Sequence, residues 1–496
     1  MSQRSRWIPV RGLRVIRHAT MAAVIGSIGF AGAVAQADIP PQPRPEPAPE
    51  PAPTPVAATP VSVEIPFEKY TLANGLEVIL SHDTTAPIVA VNVWYHVGSG
   101  DEVVGKSGFA HLFEHMMFQG TKHTGNDVHF PILQEIGASA INGTTNANRT
   151  NYFETVPAHQ IETALWLESD RMGFLLDALT EASFRNQVDV VRNERRQRYD
   201  NVPYGKARFE VATALYPEGH PYRYLTIGRH EDLVNASLAD VQGFFKNWYV
   251  PSNATLVVAG DFETAAMKVL IEKWFGGLPA GPKPARNEVA TPVLSESKKA
   301  EVPDGFAKLE QIQRTWIGPK ALSDDSYPLE VLLGVLGADS WGRLSKRLVI
   351  EEPLCVGVSA YFDDRTLSGE IVVTASLKPG ADKKKVLAIV DEELARLQRE
   401  PISAAELRRV VIGTESTFVW GLEDLAARAD QLQYFNQFAG DPGYATAYLA
   451  KFRAVTPESV LATAKTWLAK PYSEVITVPA KAEPAASQPT RPEGPR

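Results

Sequence analysis

Residues 237–248, SLADVQGFFKNW, have a counterpart at residues 456–467, TPESVLATAKTW. Ser237, Asp240, Val241, Lys246 and Trp248 match Thr456, Ser459, Val460, Lys465 and Trp467 at a constant offset of 219, and a Pro and a Val-rich stretch follow each set. Self-similarity at a long fixed period marks a duplicated unit, so the chain reads as two copies of one unit of about 220 residues. The alternative at this stage is a chance likeness of two amphipathic helices, since Lys and Trp are common on half-buried helix surfaces.

Outward from the repeat, the chain between Glu64 and Pro479 shows both backbone periods. Phe67 to Leu80 carries a hairpin cue, Asn74-Gly75, between alternating apolar stretches, and Ile88 to Val97 reads as a buried strand. Ser107 to Gln119 reads as a helix, and Ala138 to Pro157 as two strands. Ala158 to Ala178 and Glu181 to Asn201 have the apolar spacing of long amphipathic helices. Strands cluster instead of alternating singly with helices, which predicts an α+β fold: two homologous units, each a mainly antiparallel sheet covered by helices on one face. The expected boundaries are 63–279 and 297–479. The Pro-containing stretch 280–296 is a linker long enough to let the units move as rigid bodies.

Both ends of the chain read as non-globular. Arg4, Arg6, Arg11, Arg14 and Arg17 precede an apolar run from Met21 to Ala35 that ends in Ala35-Gln36-Ala37, the pattern of a signal peptide over 1–37. The alternative is an uncleaved membrane anchor, although the run is shorter than the ~20 residues a span needs; no later segment could span a bilayer, and the mature chain is expected to be exported, most readily to a periplasm. Alternating Pro over 38–62 predicts an extended tether, and 480–496 reads as a disordered tail. Losing the five arginines takes the formal charge from −8 to −13, which disfavours nucleic acid and anionic membrane surfaces as partners.

The single cysteine, Cys355, excludes an internal disulfide and any zinc site built from several thiolates, leaving His and carboxylate as metal ligands. The sharpest chemical signal is His111-Leu112-Phe113-Glu114-His115. On a helix the two histidines project from one face one turn apart, so both imidazoles can reach a single ion, with Glu114 at the border of that face. This is the H-x-x-E-H pattern. A two-histidine site needs a third protein ligand, which in a thiol-poor chain should be a carboxylate from another helix. Glu194 is a candidate, competing with Glu162, Glu168 and Glu181; it could equally pair with Arg198 at i,i+4, and spacing does not choose.

The chain resembles the pitrilysin, or inverzincin, family of zinc peptidases, and most closely its small bacterial two-unit members. The resemblance is carried by Ser107-Gly108-Phe109-Ala110, the motif itself, Met116-Met117-Phe118, Gly120-Thr121, Asn142-Gly143-Thr144-Thr145, Thr150-Asn151-Tyr152-Phe153 and Asn193-Glu194-Arg195-Arg196. It implies one zinc ion per chain held by His111, His115 and Glu194, with Glu114 as general base for peptide hydrolysis. It also implies that an extended peptide adds to a sheet edge at Asn142 and Gly143, although Asn-Gly read by itself is a turn.

Two positions depart from the family pattern. Gln187 stands where a second, supporting Glu is common, and it cannot add negative charge. In the second unit, after Gly342-Arg343-Leu344, an Arg and a Tyr that reach the substrate in self-sufficient members are replaced by Val349 and Val356, neither of which can donate a hydrogen bond to an oxyanion. The second unit has no H-x-x-E-H. The resemblance therefore implies a heterodimer in which a homologous partner subunit supplies the Arg and Tyr, with a homodimer as the alternative. A different class of function, a non-catalytic scaffold or peptide-binding subunit, is the competing reading. His123, His129 and His159 read as surface or capping residues, and Gly219-His220-Pro221-Tyr222 as a structural loop.

Overall fold

A computed structural model describes residues 62–481 of the chain. The signal-peptide and tether expectations up to residue 61, and the tail from 482, lie outside the described residues.

The first unit builds a six-stranded sheet from β1 (Glu68–Thr71), β2 (Glu77–His82), β3 (Ile88–Tyr95), β4 (Ser139–Thr145), β5 (Thr150–Pro157) and β6 (Ala254–Gly260), in the order β1-β2-β6-β3-β5-β4. Its helices are α1 (Phe109–Met116), α2 (His129–Glu135), α3 (Ile161–Ala178), α4 (Glu181–Arg195), α5 (Gly205–Leu215), α6 (His230–Asn235), α7 (Leu238–Trp248) and α8 (Thr264–Phe275). The second unit repeats the plan. Its strands are β7 (Lys298–Asp304), β8 (Gln311–Ile317), β9 (Cys355–Asp363), β10 (Glu370–Leu377) and β11 (Ser473–Pro479), ordered β7-β11-β8-β10-β9. Its helices are α9 (Ser326–Gly337), α10 (Arg343–Ser345), α11 (Lys383–Arg399), α12 (Ala404–Gly421), α13 (Leu425–Ala439), α14 (Ala445–Arg453) and α15 (Pro457–Trp467).

From β2 to β6 the first sheet corresponds strand for strand to β7 to β11, and the edge strand β1 has no counterpart. β2 pairs with β6, and β7 with β11, in parallel; every other pairing in the two sheets is antiparallel. The repeated segments 237–248 and 456–467 form α7 and α15, each started by a reciprocal capping box, Ser237 with Asp240 and Thr456 with Ser459. A side chain that satisfies an otherwise orphaned helix N–H fixes where the helix begins, which is why those two polar positions recur.

Alternation along β3 sends its side chains to opposite faces. Val89, Val91, Val93 and Tyr95 meet Phe109, Leu112, Phe113 and Met116 of α1 in the main core of the first unit. Ala90, with Ile79, Val257 and Ala259, meets Ala429 and Leu432 of α13, a helix of the other unit. The Gln433 amide on α13 donates to the carbonyls of Asn92 (2.9 Å) and Thr255 (2.8 Å). The exchange is reciprocal: Ala207, Val211 and Leu215 of α5 pack with Ile317 and Val475 of the second sheet. Each sheet is thus covered on both faces, with one helix lent by the other unit, where the sequence predicted cover on one face.

This interlocking corrects the expected rigid-body freedom of the units. The stretch 280–296 has no helix or strand, but it is sewn to the first unit. Arg286 donates to Asn253 Oδ1 (2.9 Å) and to the His96 carbonyl, and Asn287 donates to the carbonyls of Gly100 (3.1 Å) and Glu102 (3.2 Å). The described residues fall into one compact body.

Candidate metal and peptide site

The helix that carries both histidines begins at Gly108, whose φ of 86° lies in the left-handed region that favours glycine. Glycine has no side chain with which to cap, so the orphaned N–H groups of α1 are met from elsewhere. The buried Glu102 carboxylate accepts from Gly108 N (2.9 Å) and Ala110 N (2.8 Å), and Asp232 on α6 accepts from Ser107 N (3.1 Å) and its hydroxyl (2.5 Å). Carboxylates at a helix N-terminus also complement its dipole. A Cβ on Gly108 would stand 2.9 Å from the Ile227 carbonyl oxygen, so the close approach of the two loops needs glycine.

The apolar face of α1 is pinned in the core, which turns His111 and His115 toward the end of α4. Their rings meet edge-on, with centroids 4.9 Å apart and planes at 85°. Nε2 of His111 and of His115 lie 3.7 and 3.0 Å from the same oxygen, Oε2 of Glu194. The other oxygen, Oε1, pairs with Arg198 at 3.0 Å, so Glu194 serves both of the roles that spacing left open. The competing carboxylates are occupied elsewhere: Glu162 pairs with Lys273 and Glu181 with Arg185 at the surface, and Glu168 is buried against Arg171. Just after Glu194 the helix widens into a π-turn, Arg196–Asp200, a distortion that recurs at functional sites.

Burial pushes the His111 imidazole down to about 4, aided by His115 and opposed by the Glu194 carboxylate. At neutral pH it is therefore uncharged, as a metal ligand must be. Burial pushes the Glu194 carboxyl up, but the His115 hydrogen bond and the charges of His111, His115 and Arg198 outweigh it and leave it below its ordinary value. The three donor atoms lie within 4.8 Å of one another. A tetrahedral zinc site with ligand distances of ~2.1 Å has donor–donor edges of about 3.4 Å, which the two observed separations, 3.0 and 3.7 Å, bracket. The donor set and its spacing therefore fit zinc.

Glu114 and His115 are the only residues of α1 not fully buried. Burial raises the Glu114 carboxyl, against a hydrogen bond from Thr145 and the charge of Arg149. Thr145 ends β4, the edge strand of the first sheet. On that strand Asn142 is exposed and Gly143 is buried. A Cβ on Gly143 would lie 3.0 Å from the Phe118 ring and 3.1 Å from that of Tyr152, so the backbone comes close to both rings. Arg149 holds the same hairpin, donating to the Thr144 carbonyl (3.0 Å) and hydroxyl (2.5 Å) with its guanidinium 5.0 Å over Trp94.

Gln187 is buried on α4, two turns before Glu194. Val349 lies in a π-turn, Lys346–Glu351, packed partly against the second core, and Val356 is exposed on the edge strand β9. His123 is half-exposed and paired with Asp170 at 2.5 Å, and His159 is exposed. His129 departs from its expected surface role: it is only 7% exposed, drawn inward by the amphipathic turn of α2. Glu102, Asp232, Thr145 and Arg149 were not singled out from the sequence. The one signal for the first two is Gly108 itself, a helix start without a cap.

A duplicated α+β body with a His₂Glu donor set in one half and none at the matching place in the other is the architecture of a peptidase family with one working and one degenerate repeat. Residues 77–214 match the model for insulinase (peptidase family M16), and residues 235–413 match the model for the peptidase M16 inactive domain. The chain belongs to the M16, or pitrilysin, family. It is 29% identical over 368 residues to the zinc protease PqqE of Helicobacter pylori, covering 72% of this chain and 80% of that protein. The crystal structure of a protease from Helicobacter pylori superposes with a TM-score of 0.77 at 26% identity, over 84% of this chain and all of that one. The fold also matches the periplasmic protease PqqL from Escherichia coli, with a TM-score of 0.70 at 18% identity, over 86% of this chain but 50% of that longer one.

Proposed function

We propose that this chain is a zinc-dependent metalloendopeptidase acting on peptides or unfolded segments. The observation that carries the reading is the convergence of His111 Nε2, His115 Nε2 and Glu194 Oε2 beside the carboxyl of Glu114 and the free edge of β4. When bound there, zinc would supply a Lewis acid that polarises the scissile carbonyl and acidifies water. Glu114 takes a proton from the attacking water and delivers it to the departing amine, and its raised carboxyl pKa brings it closer to the working pH. Asn142 and Gly143 receive the substrate as an added strand, the main chain supplying the hydrogen bonds. Gln187 supports the α4 end of the site without adding charge. Glu114→Gln is expected to keep one zinc per chain and lower kcat about 10²–10⁴-fold, whereas His111→Ala loses zinc itself. Zinc content measured beside turnover checks this, and undiminished turnover in Glu114→Gln would refute the base assignment.

The partner reading rests on Val349 and Val356, which offer no polar side chain where an oxyanion needs one. It is also supported by PqqL, whose single chain is about twice the length of the matched region. A homologous partner subunit carrying an Arg and a Tyr completes the site; a homodimer is the second form. The chain purified alone is expected to bind zinc and cleave peptides poorly, and full turnover without a partner would end this division of labour. No helix among the described residues is long and apolar enough to cross a membrane. That accords with an exported, periplasmic enzyme, a reading that rests on the sequence of residues 1–37.

A further inference from the structure

A second group of ionisable side chains lies under the first sheet, outside the site just described. Glu154 of β5, Glu168 and Arg171 of α3 and His129 of α2 are 1%, 0%, 1% and 7% exposed. Arg171 donates from Nε to Glu168 Oε2 at 3.0 Å and from Nη2 to Glu168 Oε1. Both oxygens of Glu154, Nε2 of His129, Nη1 of Arg171 and the Tyr95 hydroxyl are buried without a hydrogen-bond partner among the described residues. Ligand atoms of His129, Glu154 and Glu168 lie within 4.8 Å of one another.

Charge decides what completes this cluster. Two carboxylates and one guanidinium leave one net negative charge at a buried site, which is strongly unfavourable. A divalent cation would turn that into one net positive charge. A single proton cancels it and gives Glu154 the O–H it needs to donate to the facing carboxylate, since two ionised carboxylates cannot hydrogen-bond to each other. Burial, then the charge of Glu168, holds the Glu154 carboxyl well above its ordinary value against the pull of Arg171. Burial and Arg171 hold His129 down to about 2, so it brings no charge.

The cluster touches the metal helix through aromatic rings. The Arg171 guanidinium lies 4.3 Å over Tyr152 and 5.3 Å over Phe118. The Tyr152 hydroxyl donates to the carbonyl of Phe113, between the two histidines, at 3.2 Å. The same two rings wall Gly143 of the edge strand.

We propose that Glu154 and Glu168 share one proton above Arg171, and that this neutral cluster is a positioning element: it fixes the Tyr152 and Phe118 rings that set α1 and its two histidines against the edge strand β4. The positioning role rests on the metal-site reading above, whereas the proton does not. Glu154 acts as a neutral acid, so Glu154→Gln keeps shape and charge. Glu168 acts as the carboxylate that binds Arg171, so Glu168→Gln breaks a buried pair.

The test compares Glu154→Gln, Glu168→Gln and Arg171→Lys in the full chain, with infrared absorption, metal content, zinc affinity and peptide turnover as readouts. At pH 8 the wild type is expected to show the C=O stretch of a buried protonated acid that the Glu154→Gln difference spectrum removes. Glu154→Gln should keep one zinc per chain, with affinity and kcat within about twofold. Glu168→Gln and Arg171→Lys should weaken zinc affinity or kcat roughly 10–100-fold, as loss of support around a metal site does, with KM little changed. Absence of the infrared band overturns the shared proton. A second metal equivalent lost in Glu154→Gln would make the cluster a metal site, and zinc affinity and kcat both unaltered in Glu168→Gln would refute positioning. Should the chain bind one zinc but hydrolyse nothing, the peptidase reading fails, while the infrared and affinity results still decide this one.

Discussion

The two halves place a helix at the same station, α1 between β3 and β4 and α9 between the matching strands β8 and β9, and each helix leaves two residues partly exposed. In α1 they are Glu114 and His115; in α9 they are Glu330 and Gly334. Every other residue of both helices is buried. The facing helices are capped alike, α4 by Thr180 and α12 by Ser403, and counted from those caps the residue that matches Glu194 is Thr417. The two halves thus share a scaffold, and the candidate ligand set His111, His115 and Glu194 belongs to the first. The second pocket remains as a cavity of about 550 Å³ lined by Glu330, Trp341, Gly413, Thr417 and Tyr448 among others. Packing specifies the fold in both halves, and the proposed chemistry rests on a few side chains in one.

The sharpest way to break this contrast is to mutate the matched pair. Glu194→Ala removes one of three proposed zinc ligands and leaves Arg198 facing two imidazoles, so zinc affinity is expected to fall at least 100-fold and turnover with it. Thr417→Ala is expected to change neither. Equal losses in the two variants would mean that the second pocket contributes to metal binding or catalysis, and that the halves are not divided as described.

The same contrast explains what could be read from the sequence. The duplication, the α+β class and the hairpin of β1 and β2 rest on period-2 and period-3.6 apolar patterns, on capping residues and on the Asn74-Gly75 turn, all of them local signals. His111, Glu114 and His115 share one helical turn, so their convergence was legible too. Glu194 was only one carboxylate among four, because its approach to His115 depends on how α1 packs against α4, a contact about eighty positions apart in sequence. The Glu102 cap and the link from Thr145 to Glu114 are tertiary in the same way. The inward turn of His129 depends on the pairing of α2 and α3 with the sheet, so the residue looked like a surface histidine. The lending of α5 and α13 between units was likewise hidden, since an amphipathic helix advertises an apolar face but not which sheet it will cover.

Glu330 supplies the smaller and last test, because it is the ionisable member of the partly exposed pair on α9. Burial, then the charge of Asp364, pushes its carboxyl up to about 8. No ion pair involves it among the described residues, whereas Asp364 has the Tyr434 hydroxyl as a donor at 2.5 Å. Between the unfolded value of 4.5 and about 8 the folded chain keeps a proton that the unfolded chain has lost. Stability therefore falls as pH rises through that window, and the loss is complete above it. Glu330→Gln removes the titration while keeping size and polarity. It is expected to match the wild type in urea unfolding at pH 4 and to exceed it by on the order of 2 kcal/mol at pH 9. A variant whose advantage is the same at both values would show that Glu330 titrates normally, and that the second pocket holds water as freely as the surface does.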